Sequence, residues 1–186
     1  MLCPVRSLGP GNRVCLWTQG CSKGCPGCIS PEMRPHTGAD VPEETLAGAL
    51  ISAAARAGCG SLTVSGGDPF EQSGALFRLL SLVRGRFRDI LVYTGFTVGE
   101  IRDGAAGADG VRCLGLIDVL IDGRYVEELN TPGCALRGSE NQNIIFLAPA
   151  LEPVYREYMK GGRTLETFVH GGEAVITGIP DRKEDT

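Results

Sequence analysis

The sequence predicts an α/β fold on a mostly parallel sheet of about five to six strands, and three observations carry that prediction. Short runs rich in β-branched and large apolar residues recur along the chain, and helix-period segments separate the early ones. A Gly171-Gly172 pair near the C-terminus divides two further extended runs and signals a hairpin. The 186 residues, 42% of them hydrophobic, suffice for one sizeable core. Residues 1–180 are therefore expected to form a single domain, and the charged end at 181–186 a disordered tail.

The first predicted strand is Arg13–Thr18, RVCLWT, which ends at Gln19-Gly20 and enters the cysteine-rich loop CSKGCPGC. Asp40, followed three residues later by Glu43 and with Pro42 near the first turn, predicts a capping box. The helix it opens would bury Leu46, Leu50, Ala53 and Ala54 and stop at Gly58. The pattern then repeats: a strand at Ser61–Ser65, the loop GGDPF, and a helix from Glu71 to Arg84 that buries Leu76, Leu79, Leu80 and Val83. A third strand is expected at Ile90–Thr94. Beyond a short Gly-broken segment, Leu116–Ile121 reads as a strand buried on both faces, and Asn143–Leu147 as another. Thr167–His170 and Glu173–Thr177 form the terminal hairpin, which is expected at the edge of the sheet.

A net charge of -4 supplies no broad basic field, so composition points to no nucleic-acid partner. No apolar run approaches the ~18 residues of a membrane-spanning helix, and Met1–Pro10 lacks the apolar stretch of a secretory signal. The expectation is a cytoplasmic protein with no membrane partner. In a reducing compartment, the eight cysteines are read as metal ligands or reactive thiols before disulfides.

Cys21, Cys25 and Cys28 follow C-x3-C-x2-C, a spacing with which one short loop can offer three thiolates to three irons of a cuboidal cluster. Gly20, Gly24 and Gly27 allow the sharp turns and close backbone approach that such a loop needs. The same spacing serves a zinc knuckle, with His36 or one of Cys3, Cys15, Cys59, Cys113 and Cys134 as fourth ligand.

Further motifs in order turn the reading toward one family. GPGNRVCLWTQGCSKGCPGC, SGGDPF, VYTGF, IDVLIDGRY, LRGSENQ and the terminal TGIP resemble the radical S-adenosylmethionine superfamily, and within it the glycyl-radical activases of anaerobic ribonucleotide reductase. The resemblance implies a partial (βα) barrel, since a complete one needs roughly 200 residues or more. It implies a [4Fe-4S] cluster on Cys21, Cys25 and Cys28, with one iron left for S-adenosylmethionine. It places Gly66, Gly67 and Asp68 against the cofactor's ammonium group, and Thr94 against its sugar or carboxylate. Asp122 and Arg124, two residues apart on an extended segment, would face the same way, with Arg124 on the methionine carboxylate. Ser139, Asn141 and Gln142 would line the cofactor or the protein partner.

Two departures from the common pattern stand out: Gly27 replaces an aromatic ring, and Asp68 is shorter than the frequent Glu. Adenine stacking would then fall to Trp17, Ile29 or Phe96. The implied reaction is reductive cleavage of S-adenosylmethionine to a 5′-deoxyadenosyl radical that takes a hydrogen atom from a glycine of a partner enzyme. A flavodoxin or ferredoxin-type protein would donate the electron. The competing readings are radical modification of a peptide or small metabolite, and a non-catalytic iron-sulfur or zinc module.

Overall fold

The structure is a computed structural model that describes residues 1–170 and 172–181. Gly171 of the predicted turn and residues 182–186 of the predicted tail lie outside the described residues. The strands are β1 Leu2–Val5, β2 Arg13–Thr18, β3 Ser61–Gly66, β4 Asp89–Tyr93, β5 Val119–Asp122, β6 Asn143–Phe146, β7 Leu165–His170 and β8 Glu173–Gly178. The helices are α1 Glu43–Ala57, α2 Ser73–Val83, α3 Val98–Arg102, α4 Gly107–Cys113 and α5 Glu152–Met159.

Six strands make one sheet in the order β1-β2-β3-β4-β5-β6. Strands β2 to β5 are parallel, whereas β1 and β6 run antiparallel to their neighbours. The parallel prediction thus holds at the centre and reverses at both edges. A parallel return requires a crossover, usually helical. Residues 123–142 between β5 and β6 contain only a three-residue 3-10 turn, Glu127–Leu129, so the chain doubles back and pairs Asp122 with Asn143.

Helix α1 starts at Glu43, later than the predicted Asp40 capping box implied: Pro42 occupies the cap position and no side chain bonds there. Gly58 ends it in the left-handed region at φ 64, as the sequence implied. Ala47, Leu50, Ala53 and Ala54 are buried, and Leu46 is partly so. The second predicted helix begins later, at Ser73, because Pro69–Gln72 forms a 3-10 turn capped by Asp68. Its predicted buried set of Leu76, Leu79, Leu80 and Val83 is unchanged. The Gly-broken segment before β5 contains α3 and α4, and β1 and α5 are additions to the predicted list.

Strand alternation divides the core in two. Val14, Leu16, Leu62, Val64, Ile90, Val92 and Leu120 pack with the apolar stripes of α1 and α2 and with Cys113 of α4. On the opposite face, Leu91, Val119 and Ile121 meet Tyr155 of α5 and Leu136. That face also holds a buried polar knot. Fully buried Arg13 donates from Nη1 to Asp89 Oδ2 at 2.5 Å and from Nε to Thr63 Oγ1 at 2.6 Å. The Tyr155 hydroxyl donates to Asp89 Oδ1 at 2.9 Å.

The hairpin β7-β8 is a separate two-stranded sheet and does not pair with the edge of the main one. It covers the region by packing: Phe168 lies against Val5, Leu8 and Cys15. Glu166 Oε2 accepts the backbone N–H groups of Arg6 and Ser7, both at 2.7 Å.

Candidate metal and cofactor centre

The carboxyl ends of the four parallel strands are Thr18, Gly66, Tyr93 and Asp122, and each leads into one of the motif-bearing loops. Ends of parallel strands are where α/β folds assemble their sites, because the loops there converge on a common edge.

The cysteine loop is closed at its base. Gly20 N–H donates to Met33 O at 2.8 Å and Cys21 N–H to Arg34 O at 2.9 Å. Between these rungs Cys21, Cys25 and Cys28 are each half-buried, and a turn joins Cys28 N–H to Cys25 O at 3.3 Å. Burial pushes the Cys21 thiol above its ordinary pKa, against a hydrogen bond from the Lys23 backbone that lowers it. Among the described residues no three His, Cys, Asp or Glu side chains converge as ligands of a single ion would. A cuboidal cluster has a different requirement, since each of its irons takes its own thiolate. Three half-buried thiols on one loop match that donor set.

The remaining cysteines lie elsewhere in the fold. Cys15 and Cys113 sit in core clusters, Cys3 and Cys59 face each other, and Cys134 Sγ lies 3.4 Å from Thr131 Oγ1. His36 stays beside the loop, with Nε2 3.7 Å from Glu71 Oε2.

The GGD loop is joined to the base of the cysteine loop. Gly67 N–H donates to Thr18 O and Asp68 N–H to Gly20 O, both at 2.8 Å. A Cβ on Gly67 would come within 2.3 Å of Gly20 O, so here the missing side chain serves the contact between two loops. Glu71 adds a clamp that the sequence reading passed over as a helix residue. Its carboxylate accepts the Ser22 N–H at 2.9 Å and the Ser22 hydroxyl at 2.8 Å.

Asp68 is buried and links this loop to the next. Oδ1 accepts from Thr94 Oγ1 at 2.8 Å and Phe70 N–H at 3.1 Å, and Oδ2 from Gly95 N–H at 3.0 Å. Burial raises its pKa, and the hydrogen bonds from Thr94, Phe70 and Gly95 oppose the rise. Thr94 is thus engaged with Asp68 and with Phe96 N–H at 3.1 Å.

Asp122, at the end of β5, reaches back to the connection before it and across to β6. Oδ2 accepts the Val98 N–H at 2.7 Å, and Oδ1 the Asn143 side-chain amide at 2.8 Å. Asp122 and Arg124 do not share the expected extended segment. Strand β5 ends at Asp122, Gly123 turns the chain at φ 96, and Arg124 is exposed with no ion pair among the described residues.

Ser139, Asn141 and Gln142 all turn onto the segment after β5. Ser139 Oγ accepts from Val126 N–H at 3.1 Å, Asn141 Nδ2 donates to Arg124 O at 2.8 Å, and Gln142 Nε2 donates to Gly123 O at 2.8 Å. Of the three candidates for adenine stacking, Phe96 has Lys23 Nζ 3.0 Å from its ring centroid, Trp17 packs beside Val5 and Leu8, and Ile29 is exposed. Glu127 approaches from the 3-10 turn after β5 into the space over Gly27, where a Cβ would lie 2.5 Å from its carboxyl carbon.

The fold and the cysteine loop define an iron-sulfur protein: the chain belongs to the family described as the 4Fe-4S single cluster domain, whose model matches residues 7–145. It belongs equally with the anaerobic ribonucleoside-triphosphate reductase-activating proteins. It is 31% identical over 149 residues to the one from Escherichia coli (strain K12), covering 75% of this chain and 91% of that protein. The relative from Vibrio cholerae is 31% identical over 145 residues, covering 73% and 88% of the two chains. The relative from Enterobacteria phage T4 is 32% identical over 141 residues, covering 73% and 85%.

Proposed function

We propose that this chain is a radical S-adenosylmethionine activase that installs a glycyl radical on an anaerobic ribonucleotide reductase. The observation that carries the reading is the junction of the cysteine loop with the GGD loop through Gly67, Asp68 and Glu71. Membership among the activating proteins supports the choice of partner.

In this proposal Cys21, Cys25 and Cys28 hold the [4Fe-4S] cluster. When bound, the cluster would supply the electron for reductive cleavage of S-adenosylmethionine, the source of the radical directed at the partner's glycine. The protein's part is to bind, orient and exclude water. Gly66 and Gly67 bring backbone beside the cysteine loop, and Asp68 with Thr94 fixes that backbone for the cofactor's ammonium group. Asp122 and Ser139 brace the segment that carries Arg124, whose exposed guanidinium is available to the methionine carboxylate.

We further read residues 1–180 as one domain, with the sheet as a partial barrel whose open flank admits the partner's glycine loop. Electrons would come from a flavodoxin or ferredoxin-type donor in the cytoplasm. No helix among the described residues is long and apolar enough to cross a membrane.

The test is anaerobic reconstitution with iron and sulfide, reduction, and assay for 5′-deoxyadenosine with and without the reductase. Product is expected from the loaded protein and none from Cys25→Ala. A fully loaded cluster that yields no 5′-deoxyadenosine rejects the proposal.

A further inference from the structure

Strand β1 carries Cys3 to the turn between α1 and β3, where Cys59 lies. Their sulfurs are 2.9 Å apart, although 56 residues separate them in sequence. Cys3 is half-buried and Cys59 is 8% exposed. Each sulfur also bonds a carbonyl, Ala53 O at 3.8 Å from Cys3 Sγ and Ala57 O at 3.8 Å from Cys59 Sγ. A disulfide places its sulfurs at about 2.05 Å, so closure requires a movement of under about 1 Å. Cys113 and Cys134 lie beside Ser73 O and Thr131 Oγ1 and face no thiol among the described residues.

We propose that Cys3 and Cys59 form an oxidisable thiol pair that closes to an intrachain disulfide when a hydroperoxide reaches the protein. One thiolate attacks the peroxide: a sulfur-oxygen bond forms, the oxygen-oxygen bond breaks, and the departing hydroxide takes a proton to leave as water. The second thiolate then attacks the sulfenic sulfur, the sulfur-sulfur bond forms, and the sulfur-oxygen bond breaks to release a second water. The two thiols lose two electrons and two protons, and hydrogen peroxide is reduced to two waters.

Burial first, and then the neighbouring Cys59, push the Cys3 thiol up to about 12, which slows attack by this sulfur. Closure ties the edge strand β1 to the α1–β3 turn and encloses the cysteine loop within the covalent ring. The pair thus staples the N-terminal edge of the sheet under conditions that threaten an iron-sulfur protein. This inference stands on the thiol geometry alone and is independent of the proposed radical chemistry.

Tryptic cleavage gives a clean readout, because residues 1–6 and 57–78 form peptides that contain Cys3 and Cys59 as their only cysteines. The full chain is treated with excess hydrogen peroxide, digested without reductant and mapped by mass. The expected product is peptide 1–6 joined to 57–78, absent after reduction and absent from Cys59→Ser. The oxidised chain should unfold about 10 °C above the reduced one. Cys3→Ser, which alters the more exposed partner, should lose both the linked peptide and the shift. Recovery of 1–6 and 57–78 unlinked, or joined to other cysteine peptides, after the peroxide has been consumed overturns the proposal.

Discussion

Asp89 and Asp68 show how much depends on single buried carboxylates. Asp89 balances Arg13, which is fully buried, and also accepts the Tyr155 hydroxyl. Asp89→Ala leaves the guanidinium without a counter-charge and should cost about 3–5 kcal/mol. Tyr155→Phe removes only a neutral donor and should cost about 1 kcal/mol. Urea unfolding of the two variants measures the contrast, and equal losses would contradict the arrangement.

Asp68 predicts a pH dependence. Its folded-state pKa is raised above the ordinary value near 3.8, so above that value the folded chain binds more protons at this site than the unfolded chain. The contribution of Asp68 to stability therefore falls as pH rises through that window. Asp68→Asn should flatten this slope, read from denaturation midpoints between about pH 4 and 6.

The loop junctions make their own demands at the scale of elements. A Cβ at Gly67 would overlap the Gly20 backbone, whereas one at Gly48, exposed on α1, would meet nothing within 4 Å. Gly67→Ala should therefore separate the cysteine and GGD loops and reduce the iron retained per chain after reconstitution. Gly48→Ala should leave iron loading unchanged and stabilise the protein by about 0.5–1 kcal/mol, since alanine favours helix and nothing obstructs it. Iron content and thermal unfolding of the pair check both statements.

Most of the central elements were legible because their apolar period agreed with their environment. The α2 stripe and the Gly58 stop appear in the structure as the sequence implied. Helix α3 was overlooked although its signal was present, with Thr97 and Glu100 forming a capping box around a five-residue helix. Short helices bury too few residues to leave a periodic trace. The Asp40 signal, by contrast, was a motif without a bond, because the helix opens at Pro42 instead.

The whole molecule adds contacts between distant segments. The hairpin meets the residues after β1 through Glu166, across a separation of 160 positions. Glu166→Ala should cost about 1–2 kcal/mol and speed hydrogen exchange at the Arg6 and Ser7 amides, which lose a charged acceptor. Unchanged exchange at those two amides would show that the hairpin is held by Phe168 packing and the Ser7–Thr177 hydroxyl pair without Glu166.

The sequence by itself determined the strand-to-loop order and the spacing of Cys21, Cys25 and Cys28, because periodicity and short motifs are properties of neighbouring residues. Only the tertiary structure decided what the polar residues of the motifs bond to. Asp68 holds the loop after β4, Asp122 holds the start of α3 and the start of β6, Gly67 makes room for Gly20, and Glu71 clamps Ser22. The physical reason is that a buried carboxylate takes whichever donors the packing of separate strands brings to it, and no local spacing encodes that choice.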